Sequence, residues 1–341
     1  MYPNILASAS ATPVRPDVVV FADGYQNPAI YQYDLVFEQK IATNTMVSVS
    51  YVGSSGRHLP IFIDRNLPAA SGTVTYAASG GPFDGQTLTM PIFTGARPNP
   101  NFSRITTVSD LVETTYNGIV FQVNRRLTGG LQFQASYTEA RATDNGQSSQ
   151  TFTASNNVLN PFDLSLEDAR SNFEIKHRFV ANAIWQPSIP SAGALKTIVE
   201  GFTIAPTLSM SSGVPYTATL TGNTPNTARV STGVLGAGGT NRLPNLERNT
   251  FLLPKTASVD LRVSRAFPNL GPRRIEAMLD IFNMFNRLNY TASNTLMYTV
   301  GGSVAAPTLS YNPTFGSLTN ANSNYFVFTP RQIQLSARLT F

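Results

Sequence analysis

The fold of this chain is constrained most by nine segments in which apolar and polar residues alternate. The connections between these segments also alternate, in length. In each segment apolar residues occupy every second position, which is the period of a β-strand with one apolar face. The connections alternate between short and long along the chain. The short ones are residues 42–45, 128–130, 187–190 and 268–272, and the long ones are residues 53–115, 141–175, 211–256 and 283–330. This pattern predicts nine strands whose two ends lie in different environments.

The last segment, residues 331–341, follows the alternation without exception and ends on an aromatic residue. Its apolar positions are Ile333, Leu335, Ala337, Leu339 and Phe341. Termini of soluble domains usually fray, so a chain that ends flush on a strand is unusual among them. Bacterial outer-membrane barrels do end in this way. The last eight residues resemble the assembly signal of those barrels, with the matching positions at Gln334, Ser336, Leu339 and Phe341.

The alternation of short and long connections favours a transmembrane barrel over a soluble sheet. Outer-membrane barrels have short periplasmic turns and long extracellular loops, and about 9–11 residues per strand suffice to span the bilayer. We therefore predict an all-β fold, an antiparallel transmembrane β-barrel segment of nine to ten strands in the outer membrane of a Gram-negative bacterium. Residues 1–28 are predicted to be loop or partial strand, with 18–22 as the candidate tenth strand. Residues 29–341 are predicted to form one barrel domain.

Two cations, Arg125 and Arg265, interrupt the apolar faces. Each lies a few residues from a short turn. There a lipid-facing charge costs about 0–1 kcal/mol, compared with about 2–4 kcal/mol at the bilayer midplane. Both positions are therefore compatible with a face that meets lipid, since the long side chains can reach the headgroups.

Several short motifs resemble the barrel of Oar-like TonB-dependent receptors. They lie, in order, at residues 51–59, 116–138, 176–182, 212–216, 282–286 and 330–335, and the resemblance covers most of the chain from Tyr31 onward. It implies a barrel of 22 strands, an N-terminal plug and a TonB box. The chain contains neither plug nor box, so the resemblance implies a C-terminal barrel part. The implied partners are outer-membrane lipid, the barrel-assembly machinery, the TonB system through the missing plug, and an extracellular ligand.

No catalytic, cofactor or metal site is predicted, and we expect no enzymatic activity. The two histidines, His58 and His177, are interpreted as a loop residue and a residue of the barrel rim. The net charge of +5 is spread along the chain, which argues against nucleic acid as a partner. The densest acidic group is interpreted as a solvated loop rather than a calcium site because its spacing is not that of an EF-hand. It comprises Asp163, Glu167, Asp168 and Glu174.

Three functions remain open from the sequence. The first is an outer-membrane TonB-dependent receptor, of which this chain is the barrel part that contributes to ligand capture and uptake. The second is a complete small outer-membrane barrel of about ten strands that acts as an adhesin or enzyme. The third is a soluble secreted β-sandwich that binds carbohydrate.

Overall fold

The computed structural model describes residues 15–146, 158–188, 194–239, 241–270, 273–319, 321–322 and 328–340. The strands in these ranges are β1 (Asp17–Phe21), β2 (Ala29–Ala42), β3 (Thr45–Asp64), β4 (Gly72–Ser79), β5 (Thr87–Ile92), β6 (Arg104–Thr128), β7 (Leu131–Asp144), β8 (Ala169–Arg170), β9 (His177–Trp185), β10 (Phe202–Ser211), β11 (Pro215–Tyr216), β12 (Thr219–Thr221), β13 (Phe251–Leu252), β14 (Thr256–Leu270), β15 (Arg273–Phe282), β16 (Ala292–Ser293), β17 (Leu296–Gly302), β18 (Pro307–Tyr311), β19 (Leu318–Thr319) and β20 (Gln332–Thr340). The helical elements are α1 (Ala194–Val199) and two 3₁₀ turns, Gly81–Phe83 and Leu164–Glu167. No helix in the described ranges is long and apolar enough to cross a membrane.

Nine strands form one antiparallel sheet, which we call the wall. Their order is β2-β3-β6-β7-β9-β10-β14-β15-β20, so the wall strands pair in the order in which they follow along the chain. These are the nine strands that the alternation predicts, and the prediction of an all-β antiparallel fold is confirmed. The predicted terminal strand is β20, while Phe341 lies outside the described residues.

The register of the wall separates apolar from polar side chains across neighbouring strands. On one face Val263 lies opposite Leu279, which lies opposite Leu335. In the next row Arg262 lies opposite Asp280, which lies opposite Gln334. We call the first the outer face and the second the inner face. Large apolar side chains on the outer face of the edge strands are widely exposed, as expected of a surface that meets lipid rather than water.

The two edge strands of the wall run in the same direction. Both β2 and β20 pass from the long-loop end to the short-turn end, because each pair of neighbours in the path is antiparallel and the path holds nine strands. In the part of the chain that the structure describes, neither strand pairs on its outward edge. The wall is therefore an open sheet with two free edges.

Strands β3 and β6 are longer than the sequence pattern predicts. They hold 20 and 25 residues, about twice the 9–11 residues that span a bilayer, and they pair almost to their ends. Strand β7 pairs with β6 only as far as Thr114, which leaves the edge of residues 104–112 free on that side. Strand β1 fills this edge by pairing in parallel with β6 at Arg104 to Val108. The prediction that residues 18–22 supply a tenth barrel strand is therefore wrong.

The long connections, which are predicted as extracellular loops, contain a second set of strands. Strands β4, β5, β12, β17 and β18 form a second sheet in the order β12-β17-β18-β4-β5. Its core combines apolar side chains from all four long connections, among them Tyr76, Leu159, Leu235 and Tyr298. We call this body the cap, and it comprises residues 65–103, 158–168, 212–239, 241–255 and 289–319. The cap folds around one apolar core at the long-loop end of the wall.

Candidate functional site at the long-loop end

A buried ion-pair network joins the second long connection to the third. Glu167 lies 3.3 Å from Arg242 Nη2 and 3.2 Å from Arg248 Nε, and all three side chains are almost completely buried. Arg248 also pairs with Asp144 at the end of β7. The buried charges are neutralised by one another and by backbone carbonyls, which is what keeps such a group stable away from water.

The network ties the cap to the wall. Glu167 also accepts a hydrogen bond of 2.9 Å from the backbone N–H of Leu159, so its position is fixed from both sides. Burial lowers the pKa of the Arg242 guanidinium, and the charge of Glu167 opposes this effect. The arrangement holds residues of two long connections against the upper end of β7, and it gives the cap a defined position on that strand.

The structure corrects part of the interpretation of the acidic group. Asp163 and Asp168 are exposed, as a solvated loop requires, but Glu167 and Glu174 are buried. Glu174 pairs with Arg170 at 2.9 Å and accepts a hydrogen bond from the backbone N–H of Ala142. Glu167 and Glu174 therefore hold the second connection in place and do not face water. Within the described ranges, no three acidic or histidine side chains are placed to hold a metal ion.

A cleft of two adjoining lobes, about 440 and 370 Å³, lies beside this network. The lobes share Arg141, Thr143, Arg170 and Glu247. The first lobe adds two further cations, Lys176 and Arg248, together with Glu174, Asn249 and Thr250. The second adds mainly acids and neutral polar side chains, namely Glu113, Asp144, Asp168, Thr115 and Asn145. One lobe is thus basic and the other acidic and rich in hydrogen-bonding groups.

The cleft lies at the upper rim of the wall and takes lining residues from both faces of β7, with Arg141 and Thr143 on the outer face and Ala140 and Asp144 on the inner face. Thr115 lies opposite Thr143, and Asn117 lies opposite Arg141, in the same face as the stacked pair Phe121 and Tyr137 further down the strands. Alternate residues of a strand share a face, so the side chains of Thr115, Thr143 and Arg141 point the same way as these aromatic rings.

Aromatic side chains form a band on the outer face just below the cleft. Tyr33 and Tyr51 both donate to the Asn117 side-chain oxygen, at 3.3 and 2.7 Å. On the neighbouring strands the Tyr137 ring stacks on His177, with Tyr137 Oη 2.8 Å from His177 Nδ1. Tyrosines with a polar end are typical of the membrane interface. His177 therefore lies where the rim interpretation places it.

Gly53 makes room for this band. A Cβ built at Gly53 would lie 2.0 Å from the Tyr33 ring, which is far closer than two atoms can approach. Tyr33 lies directly opposite Gly53 in the β2–β3 register and crosses it to reach Asn117. The absence of a side chain at Gly53 thus leaves space for the Tyr33 ring in this position, and the role does not depend on the backbone angles of the glycine.

His58 is not in a loop, contrary to the sequence interpretation. It lies within β3, at an irregularity in the pairing with β6 where its φ angle is +57°. Its Nδ1 lies 3.4 Å from the Asp110 carboxylate, which also accepts from the backbone N–H of Gln26 at 3.0 Å. These contacts, led by the Gln26 hydrogen bond, lower the pKa of Asp110. Asp110 thus links the N-terminal segment to β6, and His58 contacts the same carboxylate from β3.

The terminal strand carries the residues of the predicted assembly signal on two faces. Gln334 and Ser336 lie opposite Asp280 and Met278 on the inner face. Leu339 lies on the outer face and is 54% exposed. Phe341 is outside the described residues. The signal itself stays a prediction.

The two outer-face arginines lie near short turns, as predicted. The Arg265 guanidinium lies over the Phe202 and Phe267 rings, at 5.0 and 5.1 Å from their centroids. Arg125 donates to the Thr128 carbonyl in the turn that follows it. Each charge is thus accommodated at the short-turn end by an aromatic surface or a backbone acceptor.

Residues 1–334 match the family described as the outer membrane beta barrel domain. The match covers nearly the whole chain. The chain belongs to this family. Its location is the outer membrane of a Gram-negative bacterium, and the soluble sandwich is therefore excluded as an alternative. The family is one of membrane barrels, in agreement with the prediction that the chain is not an enzyme.

No curated protein matches the chain, but solved structures do. The outer membrane transporter YddB from Escherichia coli is 11% identical, with a TM-score of 0.51 over 96% of this chain and 34% of the transporter. The ferripyoverdine receptor of Pseudomonas aeruginosa is 12% identical, with a TM-score of 0.44 over 91% of this chain and 27% of the receptor. The chain thus spans about a third or less of these proteins. The first likeness supports the fold, which is related to that of large outer-membrane transporters.

Proposed function

We propose that this chain is the C-terminal barrel part of an Oar-like TonB-dependent receptor that captures a ligand outside the cell and takes it across the outer membrane. The observation that carries the proposal is the open wall with two free edges. Free strand edges expose backbone groups that need partners, above all in hydrocarbon, where water cannot replace them. Further strands must complete the wall.

The direction of the edge strands limits how the wall is completed. Because β2 and β20 both run towards the short-turn end, an antiparallel closure needs an odd number of further strands. A barrel of 22 strands would need thirteen more, which is odd. Closure of nine strands on themselves would pair β20 with β2 in parallel, whereas single-chain bacterial barrels have even strand numbers. One further strand would make a ten-stranded barrel, but β1, the candidate tenth strand, pairs with β6 and does not extend the wall within the described ranges. The receptor is favoured over the complete small barrel for this reason.

The cap provides the surface for ligand capture under this proposal. It is a folded body with its own core, held to β7 by the buried network of Glu167, Arg242 and Arg248. A rigid surface at the long-loop end keeps binding groups in place before a ligand arrives, which lowers the entropy lost on binding. Energy would reach the barrel from the TonB system through an N-terminal plug.

The experiment that tests this function uses the native host. The full-length product in isolated outer membranes is expected to be much larger than the 36.9 kDa of this chain. Mass spectrometry of spent complex medium then compares wild-type cells, cells without the gene, and wild-type cells treated with a protonophore. The receptor is supported if the same compound is no longer taken up by the cells without the gene and by the wild-type cells treated with the protonophore. A closed barrel of this chain alone, or a medium profile that does not depend on the gene, would contradict it.

We also propose that the barrel-assembly machinery recognises the terminal strand through Gln334, Ser336, Leu339 and Phe341. Deletion of Phe341 in the full-length protein should lower the heat-modifiable outer-membrane population, because an undocked edge strand is prone to aggregate or be degraded. Replacement of the exposed Thr43 by Ser, in the first short turn, is the matched control and should leave that population unchanged. Equal outer-membrane levels of the two variants would refute the signal.

A further inference from the structure

We propose that the two-lobed cleft at the upper rim of the wall binds a phosphorylated sugar, with the phosphate in the basic lobe and the sugar hydroxyls in the acidic lobe. The cleft is separate from the core of the cap, and the proposal does not depend on ligand transport.

The basic lobe offers cations that no carboxylate neutralises. Arg170 is paired with Glu174 at 2.9 Å, and Arg248 is paired with Asp144 and Glu167. Arg141 and Lys176 line the same lobe, and both are exposed. Neither has an ion-pair partner among the residues that the structure describes. A phosphate between Arg141 and Lys176 would receive charge-assisted hydrogen bonds, which are about twice as strong as neutral ones.

Arg248 supplies a second indication that the lobe is incomplete without a ligand. Its side chain is fully buried, it lines the basic lobe, and its Nη1 has no hydrogen-bond partner within the described ranges. A buried guanidinium nitrogen without a partner is costly, because its lost hydration is not replaced. An anionic oxygen or a water bound by it would satisfy this donor.

The acidic lobe explains why the ligand should carry hydroxyl groups. Asp168 lines only this lobe and Glu247 lines both, and neither forms an ion pair within the described part of the chain. Thr115 and Thr143 add hydroxyl groups from neighbouring strands. Carboxylates accept hydrogen bonds from hydroxyls but repel anions. The two lobes together therefore suit an anion attached to a hydroxylated body better than a bare anion.

The position of the cleft suggests where such a group would come from. Arg141 follows Tyr137 on the same strand and face by four residues, which is about 13 Å along the strand. Tyr137 and His177 belong to the aromatic band, and such bands lie at the membrane interface. The cleft thus opens at about the height of lipid headgroups. Phosphorylated sugar can reach it either as a glycolipid headgroup or as a soluble sugar phosphate.

The experiment measures binding to the purified full-length protein. The lipid arm uses phosphatidylcholine vesicles that contain a phosphorylated diglucosamine lipid or its dephosphorylated form. The soluble arm uses glucosamine 6-phosphate and inorganic phosphate. Hydrogen exchange of residues 140–146 and 169–176 reports occupancy. We expect protection by the phosphorylated lipid or by glucosamine 6-phosphate, and the arm that protects identifies the source.

The variants separate the two lobes. The double change Arg141→Gln and Lys176→Gln should weaken binding at least about tenfold, while Arg126→Gln, an exposed cation at the short-turn end, should not. The double change Asp168→Asn and Glu247→Gln should weaken binding of the sugar phosphate and leave inorganic phosphate unaffected or bound more tightly. All these side chains are exposed, and unchanged heat-modifiability verifies folding.

The proposal would be overturned by any of three results. The first is an absence of protection in both arms. The second is inorganic phosphate binding as tightly as the phosphorylated sugar. The third is equal binding by the Arg126→Gln protein and by the double variant of the basic lobe.

Discussion

The wall exposes large apolar side chains on its outer face, whereas the cap buries them in its core. In the wall, Leu35 and Leu335 are 74% and 79% exposed on the outer face. In the cap, Tyr298 and Leu309 are completely buried. The wall is therefore adapted to hydrocarbon as its solvent and the cap to water. One chain supports both because β3 and β6 extend beyond the bilayer and carry the first long connection away from the membrane.

The two regions also differ in what holds them together. The wall is joined by backbone hydrogen bonds between strands that follow one another in sequence. The cap depends on contacts between distant residues, such as the hydrogen bond of 2.8 Å from Tyr76 Oη to the Val234 carbonyl. Damage to the cap should therefore leave the wall folded. Damage to the outer face of the wall should prevent insertion of the whole protein.

The largest effect is expected from Glu167→Ala in the full-length protein. The change leaves Arg242 and part of the Arg248 charge unpaired in a buried place, which costs about 3–5 kcal/mol. Hydrogen exchange and limited proteolysis should report opening of residues 158–168 and 241–255, while heat-modifiability of the barrel persists. Glu200→Ala, which removes an exposed pair with Lys196, is the control and should change little. If the barrel also lost its heat-modifiability, the two regions would not be separable.

The next effect concerns the outer face of the wall. Leu261→Arg places a charge towards lipid and should cost about 2–4 kcal/mol, so the outer-membrane yield should fall sharply. Thr207→Arg is the matched control, because Thr207 lies on the neighbouring strand opposite Asp260 and on the inner face. Its yield should stay close to that of the wild type. Similar yields for both variants would mean that the outer face does not meet lipid.

A smaller effect is expected inside the cap from Tyr298→Phe. Tyr298 Oη donates to the Gly80 carbonyl at 2.9 Å and accepts from the backbone N–H of Phe83 at 3.2 Å. Loss of the hydroxyl leaves these groups unsatisfied and should destabilise the cap by about 1–3 kcal/mol. Hydrogen exchange at residues 80–84 should rise. Tyr311→Phe removes a neighbouring hydroxyl and should be almost neutral, and a result in the reverse order would contradict the hydrogen-bond account.

The sequence predicts the wall well because its signal is local. Each wall strand alternates over enough residues for the pattern to stand out, and in β20 the parity of Ile333, Leu335 and Leu339 also predicts which side chains lie on the outer face. The short turns are predicted equally well. For example, β2 ends at Ala42 and β3 begins at Thr45, where the sequence predicts a turn. Period and turn chemistry act within a few residues, so no partner strand is needed to recognise them.

The cap could not be predicted in the same way. Its strands are short, as in β12 (Thr219–Thr221), and its core residues are separated by long polar stretches. Glu167 looks like any solvated acid until Arg242 and Arg248 are brought to it from about eighty residues away. The cleft has the same origin, because Arg141 and Glu247 line one cleft only after the third connection folds back onto β7. Such sites depend on contacts between residues far apart in the sequence, and these contacts produce no periodic pattern in it.

Cysteine accessibility in intact cells tests directly whether the wall crosses the outer membrane with its cap outside. The described chain has no cysteine, so single replacements can be labelled cleanly. Thr43→Cys and Thr128→Cys lie in exposed short turns, whereas Asn245→Cys and Ala305→Cys lie in exposed parts of the cap. An impermeant maleimide should label the cap cysteines in whole cells and the turn cysteines only after the outer membrane is opened. Labelling of the turn cysteines in whole cells, with the cap cysteines protected, would contradict a wall that crosses the outer membrane with its cap outside.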